Sequence, residues 1–166
     1  MNITLLLSKL GLSAAMSQNA MLLIFIALVS FVYGMLLGKH KLMTVLINIY
    51  VAFAVVSVIP KAMITDYNEK MLIFLGILVV MTILDKRFFD ISFSGAGSGF
   101  LFRVFSMSFL EIVLVLSIIF SYTPAKIALT YISSDAYKYL TTDWMPLVWM
   151  AAPLVYMFFI YKKINH

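Results

Sequence analysis

Residues 104–122 read VFSMSFLEIVLVLSIIFSY, a run of nineteen residues with one charged side chain, that of Glu111. An apolar run of this length matches the roughly 20 residues that a helix needs to cross the hydrocarbon core of a bilayer. A charged side chain near the bilayer centre costs about 2.5 kcal/mol or more, so it usually has a partner or a function. The run therefore predicts a membrane-spanning helix with one polar side, which faces the protein interior or a partner.

The rest of the chain repeats this pattern. Of its 166 residues, 64% are hydrophobic and 11% are charged, against about 45–50% and about 25% in soluble domains. The surplus lies in runs that predict five spanning helices, at residues 20–38, 42–60, 70–84, 104–122 and 144–161. We expect an all-α polytopic membrane bundle formed by residues 20–166. Four spans are the alternative, because the apolar part of 70–84 is short for a bilayer.

Residues 1–19 mix leucines with serines and one lysine. This segment is too short and too polar to cross a membrane, and it suits an amphipathic helix that lies at the interface. A frayed terminus is the alternative.

The first two predicted spans are separated by Lys39-His40-Lys41. So short a basic connection predicts a tight helical hairpin, with one long continuous helix as the competing interpretation. Ser30, Gly34 and Gly38 recur every four residues on one face of the first span. Small residues at this spacing allow a neighbouring helix to approach closely, so we expect this face to be a helix-packing surface.

The net charge of +5 indicates membrane contact rather than nucleic-acid binding, because basic residues stand beside the apolar runs. Lysine and arginine concentrate in cytoplasmic loops and interact with anionic lipid headgroups. We expect the N-terminus outside, the C-terminus in the cytoplasm, and membrane lipids as partners. The basic residues expected at the membrane interface are Lys39, Lys41, Lys86, Arg87, Lys162 and Lys163.

Residue types that support catalysis are scarce. The chain has no cysteine, which excludes disulfides, thiolate metal sites and cysteine nucleophiles. Its two histidines, His40 and His166, have no second ligand at metal-binding spacing. The loop from Gly95 to Gly99 lacks the strand and the lysine of a phosphate-binding loop. We therefore expect no catalytic residue, no metal, no cofactor and no enzymatic activity.

Polar residues inside the predicted spans are few. Ser108 precedes Glu111 by three residues and shares its helical face, and Asn48 lies in the second span. An amide can donate to a carboxylate, so we expect Asn48 to be the first candidate neighbour of Glu111. Three interpretations of Glu111 stay open: a structural hydrogen-bond acceptor, a proton or cation site in a transport path, and a contact with a partner's helix.

The stretch YGMLLGKHK, residues 33–41, followed by the apolar residues 42–59, resembles the opening hairpin of small bacterial membrane proteins of the colicin V production type. The resemblance covers about forty residues, and the N-terminal extension and fifth span depart from that family's four-span plan. It implies a bacterial inner membrane and carries over no catalytic residue.

These patterns favour a non-enzymatic membrane scaffold or assembly protein that forms homo-oligomers or binds other membrane proteins. The alternative is a small transporter or channel component in which Glu111 binds a proton or cation.

Overall fold

A computed structural model describes residues 14–60, 64, 66–88 and 100–164. The described residues form helices and connecting turns and contain no strand, which confirms the predicted all-α class. Residues 1–13 of the expected interfacial segment, residues 1–19, lie outside the described residues. The helices are α1 (Ala14–Val58), α2 (Tyr67–Phe88), α3 (Phe100–Tyr122), α4 (Ala125–Tyr131), α5 (Ser134–Thr141) and α6 (Met145–Ile164).

Helix α1 is a continuous run of helical backbone of 45 residues, yet its contacts require it to reverse direction. Asn19 accepts a hydrogen bond from Ser133, which follows the C-terminal end of α3. Gly34 packs against Val104 near the N-terminal end of α3. Ser57 returns to the C-terminal end of α3, where it lines a cleft together with Tyr122.

A straight helix would separate residues 19 and 57 by about 57 Å, and α3 is only about 35 Å long. The run therefore consists of two arms joined by a sharp turn. The first arm is Asn19–Leu37 and the second arm is Lys41–Val58. The arms correspond to the first two predicted spans, and Lys39 and His40 lie between them.

Within the part of the chain that the structure describes, four helical segments are long and apolar enough to cross a membrane: the two arms, Tyr67–Leu84 of α2 and Leu101–Tyr122 of α3. The fifth predicted span, residues 144–161, lies in α6, where the apolar stretch Met145–Phe159 is shorter. The bundle therefore provides four candidate spans of full length and one shorter apolar helix.

Local signals explain where the helices begin and end. Helix α2 starts before the predicted residue 70, because the Asp66 side chain accepts a hydrogen bond from the Asn68 backbone N–H at 3.4 Å. Such a contact satisfies one of the unpaired N–H groups of a helix start. Pro60 follows α1 and Pro124 follows α3. A proline disfavours helical backbone in the residue before it, so both helices end there.

Helix α3 is the centre of the bundle. It packs against both α1 and α6, and it also contacts α2 and the short helix α5. The main core cluster joins the second arm to α3 and to Phe74 of α2. A second cluster joins Ile26 of the first arm to Val113 of α3 and Leu140 of α5. Glu111 thus lies on the helix that the other elements surround.

Candidate functional site: a buried carboxyl between two arms

Glu111 is enclosed in the bundle, with 1% of its surface exposed. The Tyr33 hydroxyl, on the first arm, donates a hydrogen bond to Glu111 Oε2 at 3.0 Å. Tyr50, on the second arm, is close enough to interact electrostatically with the same carboxyl group. The carboxyl group therefore lies where both arms of α1 meet α3.

The other carboxyl oxygen, Glu111 Oε1, is buried and has no hydrogen-bond partner among the described residues. A buried polar atom without a partner loses its hydration without compensation, at a cost of about 1–3 kcal/mol. Such an atom can hold a proton on a neutral carboxyl group or accept a donor that binds there. These are the two chemical capacities of the site.

Ser108 joins α3 to the first arm one turn before Glu111. Its hydroxyl lies 2.8 Å from the carbonyl oxygens of Ser30 and Val104 and 3.0 Å from that of Phe105. The Val104 and Phe105 carbonyls belong to α3 itself, whereas the Ser30 carbonyl belongs to α1. One hydroxyl group thus contributes both to its own helix and to the contact between helices.

This contact is close because Gly34 has no side chain. A Cβ atom added to Gly34 would lie 2.7 Å from Ser108 Oγ and 3.0 Å from Val104 Cγ1. The Ser30 hydroxyl bonds within its own helix, to the Ile26 carbonyl at 2.6 Å. The predicted small-residue face therefore meets α3 at Ser30 and Gly34. Gly38 lies in the helical backbone of α1, and no contact of it is described.

The second arm is joined to α6 through Tyr50, whose hydroxyl donates to the Met150 carbonyl oxygen. This carbonyl lies one turn before the buried Pro153. A proline inside a helix has no N–H to donate, so the carbonyl four residues before it, that of Trp149, has no helical donor. Tyr50 donates to the neighbouring Met150 carbonyl and connects α6 to the side of the bundle that holds Glu111.

Asn48, the predicted neighbour of Glu111, is buried in the second arm with 2% of its surface exposed. Its contact with Glu111 stays a prediction. Lys41 is exposed at the start of the second arm. The other basic residues predicted at the interface lie in helical backbone at the ends of α2 and α6 or in the turn of α1, and their side chains are outside the described set: Lys39, Lys86, Arg87, Lys162 and Lys163.

Tyr33 and Tyr50 are the site residues that the sequence reasoning missed. Tyr33 is the one tyrosine within residues 20–38, and a phenol deep in an apolar run requires a hydrogen-bond acceptor. That signal was present in the sequence. Which acceptor it meets depends on how the first arm and α3 align, and one sequence does not contain that information.

Fold and site together describe an all-helical bundle with four helices able to cross a membrane, which is compatible with a multi-pass membrane protein. Among the described residues, no cluster of three or more histidine, aspartate or glutamate side chains is arranged to hold a metal ion. No protein-family model matches the chain, and searches of curated proteins and of solved structures found no significant match.

Proposed function

We propose that this protein is a non-enzymatic scaffold or assembly partner of a bacterial inner membrane, with its N-terminus outside and its C-terminus in the cytoplasm. The inner-membrane setting follows from the resemblance of residues 33–59 to the colicin V production type, and the orientation follows from the placement of basic residues. The scaffold role is supported by one observation, the surface of α2.

Helix α2 packs loosely on the bundle. Only 6% of its span Tyr67–Leu84 is buried, whereas 44% of the second arm and 44% of the α3 span are buried. Exposed apolar side chains alone do not indicate a protein-binding surface, because lipid tails solvate them in a membrane. The exposed stripe along α2 contains Leu72, Gly76, Val79, Val80 and Ile83.

Gly76 is the informative member of this stripe. It is exposed, and a Cβ atom added to it would meet no atom of the described residues within 4 Å. A glycine inside a helix costs about 0.5–1 kcal/mol relative to alanine, and none of the residues that the structure describes requires it here. In membranes such residues allow a second helix to approach closely. We therefore assign the α2 stripe as the surface that meets another copy of the chain or another membrane protein.

The absence of cysteine from the sequence makes this assignment directly testable. Leu72→Cys and Leu28→Cys each introduce a single thiol at an exposed position, on the α2 stripe and on the first arm respectively, and leave Gly76 in place. Each thiol carries a photoactivatable crosslinker, and the crosslinked species are identified by mass spectrometry in native membranes. We expect a defined adduct from position 72 and none from position 28. Recovery of monomer alone from both variants, or the same adducts from both, would contradict the assignment.

A transporter or channel component is the second candidate, because Glu111 Oε1 has no partner among the described residues. In this role the carboxyl group would bind a proton or cation between the arms. The reconstituted protein should then give a pH-dependent flux that Glu111→Gln abolishes and Glu69→Gln, at an exposed position, leaves intact. Glu111 does not line the open cleft described below, and its enclosure favours the scaffold role.

A further inference from the structure

An open cleft of about 410 Å³ lies where several helices end on one side of the bundle. It is formed by the C-terminal ends of the second arm and of α3, the first turn of α2 and the beginning of α6. Because three of these elements are candidate spans that begin or end here, the cleft is at the edge of the membrane layer.

The polar lining of the cleft combines one cation with hydroxyl groups. Lys70 is the charged residue that lines it, and Tyr122 contributes a buried hydroxyl group with no hydrogen-bond partner among the described residues. The nearby acids Asp66 and Glu69 are exposed and are not among the lining residues. An ammonium group can donate to an anionic group, and so can the Tyr122 hydroxyl, which lies beside the Ser57 hydroxyl.

Two serines give the cleft acceptors. The Ser57 hydroxyl donates its hydrogen to the Phe53 carbonyl and the Ser121 hydroxyl donates to the Ser117 carbonyl, each at 2.7 Å. Their oxygen atoms can each accept a further hydrogen bond, and that of Ser57 lies beside the Tyr122 hydroxyl. A ligand that fits would present an anionic oxygen to Lys70 and Tyr122 and its own hydroxyl groups to the serines.

The remaining wall is apolar and includes Val56, Ile118 and Met150. We propose that the cleft binds the headgroup of an anionic glycerophospholipid that carries hydroxyl groups, with its phosphate at Lys70 and Tyr122. The apolar wall and the position at the membrane edge select a lipid over a free anion, because acyl chains continue from the phosphate into the hydrocarbon layer. This site is independent of the scaffold role proposed above.

The test is lipid retention by the full-length protein. Wild type and variants are reconstituted in vesicles of equal parts phosphatidylethanolamine and phosphatidylglycerol, extracted gently, and examined by native mass spectrometry. Wild type should retain phosphatidylglycerol in preference to phosphatidylethanolamine. Lys70→Gln should lower that retention about five-fold, since one lysine near an anionic surface contributes about 1 kcal/mol. Tyr122→Phe, which removes only the hydroxyl group, should lower it as well.

Lys126→Gln is the matched control, because Lys126 is an exposed lysine that does not line the cleft. It should retain phosphatidylglycerol as wild type does. Equal loss in this control, unchanged retention in both cleft variants, or no preference in wild type would overturn the proposal. Displacement of the lipid by millimolar inorganic phosphate would overturn it too, because it would identify a site for free anions.

Discussion

Substitution of Gly34 by alanine tests the close contact between the first arm and α3. The added methyl group would lie 2.7 Å from Ser108 Oγ and 3.3 Å from Ser108 Cβ. Ser108 cannot easily move away, because its hydroxyl is bonded to the Ser30 carbonyl at 2.8 Å. Insertion of a methyl group into a packed interface costs about 1–3 kcal/mol. We expect Gly34→Ala to destabilise the bundle.

Gly76→Ala is the matched control, since its methyl group meets no atom within 4 Å. Both glycines lie inside helices, so the gain of up to about 1 kcal/mol in helix propensity is common to the two variants. The difference between their free energies of unfolding therefore isolates the steric cost at Gly34, and it should be about 1–3 kcal/mol.

The assay is reversible unfolding in mixed micelles, followed by far-ultraviolet circular dichroism at a protein concentration where the chain is monomeric. Ser108→Ala should partly rescue Gly34→Ala, because it removes the nearest atom and leaves Val104 Cγ1 at 3.0 Å. The double variant should thus lose less stability than the two single variants added together. Equal stabilities of Gly34→Ala and Gly76→Ala, or strict additivity with Ser108→Ala, would refute the described packing.

Three further predictions concern contacts between elements. Tyr33→Phe should lower the free energy of unfolding by about 0.6 kcal/mol, the average for hydrogen bonds between helices of a membrane protein, and by no more than about 1.7 kcal/mol. Tyr131→Phe, at an exposed position, should have no effect in the same assay. Spin labels at residues 21 and 55 should lie well under about 30 Å apart when their distance is measured by pulsed electron resonance, because the axes of packed helices are about 8–10 Å apart. A straight helix of 34 residues would instead separate them by about 51 Å. A measured distance near that value would contradict the reversal of α1. Ser133→Ala should lower the free energy of unfolding by about 1 kcal/mol. The reason is that the Ser133 hydroxyl accepts a hydrogen bond from the Ala136 N–H at 3.1 Å and also donates one to Asn19. An unchanged unfolding midpoint would exclude a stabilising role of Ser133.

The helical class and the approximate positions of the longer spans were predictable from the sequence, because an apolar run of about 18–20 residues requires helical backbone to cross a membrane. The turn between the arms was predictable from Lys39-His40-Lys41, because three residues with two positive charges do not belong in a bilayer core. The start of the short third span was predicted less accurately, at residue 70 instead of Tyr67. Its helix starts at Tyr67 because a polar turn of Asn68, Glu69 and Lys70 extends it toward the interface.

The Tyr33 contact of Glu111 could not be predicted in the same way. An amide inside an apolar run makes Asn48 a candidate donor on chemical grounds, and its contact with Glu111 stays a prediction. The structure gives Tyr33 as a donor to the carboxyl group, and Tyr33 lies on the other arm. Which residues of two helices face each other depends on their axial alignment. In this bundle the fit of Gly34 against Ser108 fixes that alignment, with Tyr33 directly before Gly34 and Glu111 one helical turn after Ser108.

That proximity bears on the role of Glu111. The carboxyl group, the Ser108 hydroxyl and the Gly34 contact lie on adjacent turns of the same two helices. A carboxyl group that serves only a transport path would not need to lie beside this close helix contact, whereas one that aligns two helices would. The bond from Tyr33 uses Oε2 and leaves Oε1 without a partner among the described residues, so one of the two carboxyl oxygens is enough for the alignment. A structural role in aligning α1 with α3 therefore accounts for the position of Glu111, and a donor at Oε1 would add to that role without replacing it.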